Sequence, residues 1–288
     1  DEFYWNIFKE YVHEIMTFND LGLEFFVEGT RSRTAKALYP KTGLLSMALE
    51  PFFMGELYNL KVVPISISYE KPMEEQLFVY ELLGIPKPKE STKGFFKAFA
   101  ALKNRKYGNL FFDFGKPIDL NEFFGKKLDK FQHASEPAHV QKLSENELHL
   151  TQELANHVVR EQQRRIVIFV FNLMALIYSE HIFTSSTSAL SMNEMKARVL
   201  ALAELFEALG AIVHITRENL TQDILSTIAV HDNILEVKGK NSIFKLKKTK
   251  PEMPPRALKE NVKVKGHYLC EQVMNIAVPV FSLQLYCN

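Results

Sequence analysis

The segment Phe26-Val27-Glu28-Gly29-Thr30-Arg31-Ser32-Arg33-Thr34-Ala35-Lys36 gathers groups that suit a phosphate. Arg31 and Arg33 supply two planar guanidinium forks that can grip phosphate oxygens with paired hydrogen bonds. Thr30, Ser32 and Thr34 add hydroxyls. Gly29 lets backbone approach a ligand closely. A phosphate carries more than one negative charge near neutral pH, which two arginines with flanking hydroxyls match. Glu28 is placed to orient an arginine or to hold the loop. The alternative is a surface loop whose arginines pair with nearby carboxylates.

Other reactive residues are less persuasive. His231-Asp232 is a lone pair on an apolar segment, which fits a structural histidine better than a ligand or a base. His13 falls in an amphipathic pattern and reads as packed or solvated. Cys287 has no histidine at a diagnosable spacing. No Gly-x-Gly-x-x-Gly or Walker loop occurs, so nucleotide phosphoryl transfer is unsupported.

The elements that must position the motif follow from periodicity. Tyr4, Ile7, Phe8, Tyr11, Val12 and Ile15 predict an amphipathic helix. Leu23–Val27 reads as a short buried strand that delivers the motif at its carboxyl end, where open α/β sheets bind ligands. Pro40 and Thr42 open a helix to about Glu50, and Pro51 ends or kinks it. Val62–Tyr69 is strand-like, with Pro64 marking an edge or a start. A helix over 91–104 and a strand over 109–114 complete an alternation that predicts an α/β fold. Helical patterns recur at 148–163, 166–179, 193–209 and 257–277, with mixed short segments between.

Composition narrows the class. The 288 residues predict about two domains. Hydrophobic residues make up 47% and charged residues 24%, with 23 Phe, so a sizeable core is available and wholesale disorder is excluded. The net charge of +1 excludes a polyelectrolyte nucleic-acid binder. Two cysteines make no disulfide framework. The longest apolar run, Ile166–Tyr178, interrupted by Asn172, falls short of the roughly 20 residues that span a bilayer and reads as a buried helix. The chain opens in mid-pattern at Asp1 without Met and stops in an apolar stretch, so a fragment is expected. Residues 238–265 carry ten Lys or Arg against Glu252 and Glu260. That stretch fits either a solvated loop or a contact with anionic lipid headgroups.

Glu28-Gly29-Thr30-Arg31-Ser32-Arg33 resembles the third sequence block of the glycerol-phosphate acyltransferase superfamily, and Val62–Tyr69 resembles its fourth. Thr34-Ala35-Lys36 with Pro40-Lys41, Gly43-Leu44-Leu45, Glu50-Pro51-Phe52-Phe53 and Tyr80–Ser91 are similar to the branch that acylates dihydroxyacetone phosphate. Enzymes that acylate glycerol 3-phosphate usually carry Gly where Ala35 stands. The resemblance is strong over about residues 4–120 and weaker beyond.

The resemblance implies an α/β acyltransferase domain, of which 1–120 is the later part, then a polar linker at 121–147 and a helix-rich domain at 148–288. It implies transfer of a fatty acyl group from acyl-coenzyme A to the hydroxyl of dihydroxyacetone phosphate in ether-lipid synthesis. Arg33 and Arg31 would hold the acceptor phosphate. Glu28, Gly29, Thr30 and Ser32 would shape the loop, and Pro64 would line the acceptor or acyl site. It implies no metal or cofactor beyond acyl-coenzyme A as co-substrate. It also implies a peripheral membrane surface, an alkylglycerone-phosphate synthase as partner, no nucleic acid, and a peroxisomal, lumenal location.

One departure stands out. The superfamily's base lies in a His-x-x-x-x-Asp block, where Asp orients the His. None of the nine His here is followed five residues later by Asp. The superfamily's second block is absent too. The resemblance therefore implies acceptor-binding blocks without the base, and no turnover by these 288 residues alone. Two alternatives remain: glycerol 3-phosphate as the acceptor, and a non-catalytic phosphate-binding or scaffold protein.

Overall fold

The computed structural model describes residues 2–18, 22–30, 32, 37–72, 106–137, 140–184, 190–232, 235–238 and 243–246. They fall into two compact units. The first draws on Asp1–Ser32, Ala37–Ser66 and Asp113–Gln163, and the second on Ile67–Phe112 and Arg164–Asn288. Helices and strands are mixed throughout, as an α/β reading requires.

In the first unit, α1 spans Glu2–Phe18 and α2 spans Gly43–Phe53. Val12 is the buried anchor of α1, and Lys9 pairs with Glu50 of α2 at 2.6 Å. Pro51 lies inside α2 and does not end it, and the helix runs on to Phe53. The expected strand over Val62–Tyr69 is split into β1 (Lys61–Val62) and β2 (Ile65–Tyr69). Pro64 sits at the break, because its ring nitrogen has no N–H for a ladder.

Strand β3 covers Leu110–Phe114 and β4 covers Ile118–Asp119. The short pair β1–β4 is antiparallel, and β2 lies beside β3. Asp119 caps α3 (Leu120–Phe124) by accepting from Asn121 N–H at 3.0 Å and Glu122 N–H at 3.2 Å.

Helix α4 spans Glu145–Arg164. Its Leu150, Leu154 and Val158 recur every four residues and face the core, with Thr151, Ala155 and Val159 beside them. They pack with Leu49, Phe52 and Phe53 of α2 and Phe124 of α3 in one cluster. The Phe53 and Phe124 rings lie 5.7 Å apart.

Residues 121–147 hold more than polar surface. Ser144 and Glu147 form a reciprocal cap at the start of α4: Glu147 N–H donates to Ser144 Oγ, and Glu147 Oε2 accepts from Ser144 N–H at 2.7 Å. The Glu147 carboxylate also accepts from His133 Nε2 at 3.0 Å. His133 is 4% exposed and Glu147 2%, and Glu136 meets His133 Nδ1 at 3.2 Å.

The second unit is built on the apolar run that reads as one helix. The structure divides it into β5 (Val167–Phe169) and α5 (Val170–Thr184). Asn172 Oδ1 accepts from Phe169 N–H at 2.9 Å, which ties down the backbone where strand becomes helix. Helix α6 (Met192–Ala208) starts at a capping box of Ser191 and Glu194. It is followed by β6 (Ile212–His214), which pairs in parallel with β5, then by α7 (Leu220–Val230). Strands β7 (Leu235–Lys238) and β8 (Ile243–Leu246) form an antiparallel hairpin. The core joins Phe171, Met174 and Tyr178 of α5 to Met195 and Val199 of α6 and Ile224 of α7.

His231 follows α7 and is fully buried, stacked on Phe171 with ring centroids 3.5 Å apart. Neither imidazole nitrogen has a hydrogen-bond partner among the described residues. The expected helices over 91–104 and 257–277, and most of the basic stretch 238–265, lie outside the described residues.

Candidate functional site

The motif loop leaves the core at Val27, which is 6% exposed, and turns immediately. Leu23–Val27 is not a strand, contrary to the sequence expectation. The Val27 carbonyl accepts from Lys41 N–H at 2.9 Å, and Gly29 N–H returns to the Phe26 carbonyl at 2.9 Å. These bonds close a turn rather than extend a ladder. The apolar residues Phe25 and Val27 still reach the core of the first unit, and that burial made the segment look like a strand.

Gly29 sits at φ +61°, a left-handed conformation that costs other residues energy. A Cβ built there would lie 3.0 Å from Lys41 Cδ. The aliphatic stem of Lys41 therefore covers Gly29, with an ammonium two bonds further on. Burial raises the pKa of Glu28, partly offset by a hydrogen bond to the Leu38 backbone. Thr30 is exposed and Ser32 half-buried. Arg31 and Arg33 lie outside the described residues, as do Thr34, Ala35 and Lys36.

Pro64 is buried, and its carbonyl accepts from Gly115 N–H at 2.8 Å. Val62, two residues earlier, packs against the cluster that holds Val27. The two motif segments thus share one core. Sequence reasoning placed Lys41 only as a marker of family branch. Its contact with Gly29 makes it a candidate binding residue, and the signal available was a lysine after Pro40, twelve positions beyond Gly29.

The turn can therefore present an exposed hydroxyl, loop backbone around a glycine and a lysine stem on one side of the first unit's core.

Comparison with known proteins supplies the family. The model described as Acyltransferase matches residues 2–68, and the model described as Glycerol-3-phosphate acyltransferase C-terminal region matches residues 78–251. The chain is 33% identical to a dihydroxyacetone phosphate acyltransferase of Bos taurus over 248 residues, which is 85% of this chain and 36% of that protein. The corresponding Oryctolagus cuniculus protein is 34% identical over the same shares. A glycerol-3-phosphate acyltransferase of Pseudomonas syringae pv. tomato is 30% identical over 75% of this chain and 29% of that protein. The chain thus spans about a third of the length of the curated relatives it matches. The second matched region covers more than half of the sequence, so the chain belongs to the glycerol-3-phosphate acyltransferase family.

Proposed function

We propose that these residues form the acceptor-binding part of an enzyme that transfers a fatty acyl group from acyl-coenzyme A to the hydroxyl of dihydroxyacetone phosphate. The acceptor oxygen attacks the thioester carbonyl and loses its proton to a base. The carbon–sulfur bond breaks, and coenzyme A leaves as the thiol. The residues of this chain bind the acceptor: Arg33 and Arg31 hold its phosphate, the Glu28–Ser32 turn shapes the cradle, and Lys41 adds a third cation. Pro64 and its neighbours line the acceptor or acyl site. No His in the sequence has the Asp spacing of the family's base, so these 288 residues bind acceptor without turning it over.

The observation that carries this reading is the left-handed Gly29 beneath the Lys41 stem, inside the region that the Acyltransferase model matches, in a chain 33% identical over 85% of its length to a dihydroxyacetone phosphate acyltransferase. We place the reaction at a membrane surface facing the peroxisomal lumen, where its product is an ester for ether-lipid synthesis and an alkylglycerone-phosphate synthase is the partner. A second reading has glycerol 3-phosphate as acceptor, favoured by the bacterial relative's name and by the C-terminal family model.

Transfer of radiolabelled palmitoyl groups from palmitoyl-coenzyme A by the native protein, with each acceptor in turn, tests the choice. The proposal expects the higher kcat/KM with dihydroxyacetone phosphate. Preference for glycerol 3-phosphate establishes the second reading, and failure with both acceptors leaves a phosphate-binding scaffold.

A further inference from the structure

The turn between α3 and α4 presents a side chain that core packing does not explain. Phe131 is 81% exposed. It is also held there by its own backbone. Phe131 N–H donates to Asp129 Oδ1 at 3.0 Å, and the Phe131 carbonyl accepts from Ala134 N–H at 3.0 Å. Two residues on, His133 is buried and clamped between Glu136 and Glu147, so the turn stands on a fixed base. The ring is thrust outward by a closed turn and does not dangle from a loose loop.

Its surroundings are basic. Lys126, Lys127 and Lys130 are exposed in the five residues before Phe131, against Asp129 there and the exposed Glu136 five residues beyond it. Glu153 neutralises Lys127 at 2.8 Å, while Lys126 and Lys130 form no ion pair among the described residues. Lys130 Nζ lies 5.0 Å from the centroid of the Tyr58 ring, and Tyr58 is itself 87% exposed. Lys130 thus stands beside one exposed aromatic ring, Tyr58, and precedes another, Phe131, in the chain.

We propose that this turn is a membrane-surface anchor whose occupant is a bilayer carrying anionic headgroups. The apolar Phe131 ring can insert at the boundary of headgroups and acyl chains, and the amphipathic Tyr58 ring settles at the headgroup level. Lysines at the same depth are drawn to anionic lipid and can lay their stems along the interface. A second copy of this chain would bring like-charged lysines together. The anchor names a surface for the membrane contact in the proposed function but does not depend on the acceptor assignment, since its test reads lipid binding and no acyl transfer. It is distinct from the basic stretch 238–265.

The test is co-sedimentation of the whole chain with phosphatidylserine-containing vesicles and with pure phosphatidylcholine vesicles. The chain is expected to pellet with the anionic vesicles and to release as salt screens the attraction. Lys126→Gln should weaken binding roughly fivefold, and Lys130→Gln by a similar factor. Phe131→Ala should weaken it about tenfold. These positions are exposed, so circular dichroism should show an unchanged fold.

A Phe131→Trp variant on a Trp5→Phe background should shift its emission to the blue on anionic vesicles and be quenched by brominated lipid. The proposal is overturned if the chain does not bind anionic vesicles, or if the variants bind like the parent, which would move the contact to another surface such as 238–265. It is equally overturned if the emission of the Phe131→Trp variant stays unshifted, or if Phe131→Ala changes only the oligomeric mass in sedimentation equilibrium.

Discussion

Lys41 lays its stem over Gly29, and an added Cβ on Gly29 would stand 3.0 Å from Lys41 Cδ. Gly29 also holds φ at +61°. Gly29→Ala should therefore cost about 1–2 kcal/mol in the urea unfolding of the first unit, from left-handed strain alone. Lys41→Met keeps the stem and removes the charge. It should leave the unfolding midpoint unchanged while weakening dihydroxyacetone phosphate binding in calorimetry by roughly tenfold or more, the value of one charged hydrogen bond. Equal affinity in Lys41→Met would remove Lys41 from the site.

His133 joins the turn after α3 to the start of α4. Burial by itself lowers the His133 pKa, but its hydrogen bonds to Glu147 and Glu136 and their charges outweigh burial, and the net shift is upward. Protonated His133 therefore favours the fold. Its contribution is fully present below the ordinary value of 6.5 and is lost as pH rises through the raised folded value. The parent should unfold more readily as pH rises over that interval. His133→Gln should flatten the limb and cost about 1.5–3 kcal/mol at pH 6, by loss of hydrogen bonds to charged partners. A parent and variant with parallel pH profiles would contradict this assignment.

His231 has the opposite sign. Burial first, then the positive charge of Lys71, pushes its pKa down to about 3. The fold requires the neutral ring. That contribution is present above 6.5 and is lost as pH falls from 6.5 toward about 3. His231→Phe keeps a ring against Phe171 and removes two buried nitrogens that have no partner among the described residues. It should be neutral or stabilising at pH 7, because replacing unsatisfied polar atoms with apolar ones of similar shape costs little. It should also abolish the acid limb in thermal melts between pH 5 and 7, and an unchanged limb would assign it to other groups.

The sequence spoke clearly where one face alternated with another. The periodic apolar residues of α1, α4 and α6 located those helices to within a few residues. It misled where every position was apolar. Val167 to Tyr178 carries no period, so the switch from β5 to α5 left only Asn172 as a mark, and its amide turned out to tie the switch. Leu23–Val27 looked like a strand because its apolar residues reach the core, while its backbone bonds go to a turn and to Lys41. The buried His133–Glu147 pair was hidden in a polar segment, since composition reports solvation and not pairing. The Ser144-x-x-Glu147 cap was the readable clue. In the candidate site the motif was legible by residue type, but the Lys41 contact was not, because it depends on how the loop turns.

Arg33 holds the central claim, that the Glu28–Arg33 loop grips the acceptor phosphate. The most direct measurement is the steady-state kinetics of Arg33→Ala in the native protein, against dihydroxyacetone phosphate and against acyl-coenzyme A separately, with a melting curve for each variant. Loss of a charged hydrogen bond worth about 1.5–3 kcal/mol should lower kcat/KM for dihydroxyacetone phosphate roughly 10–100-fold. Arg33→Lys should recover only part, because an ammonium lacks the planar fork. The KM for acyl-coenzyme A should move much less, and Tm should hold. Unchanged kinetics for dihydroxyacetone phosphate, or equal damage to both substrates with a lowered Tm, would contradict the assignment.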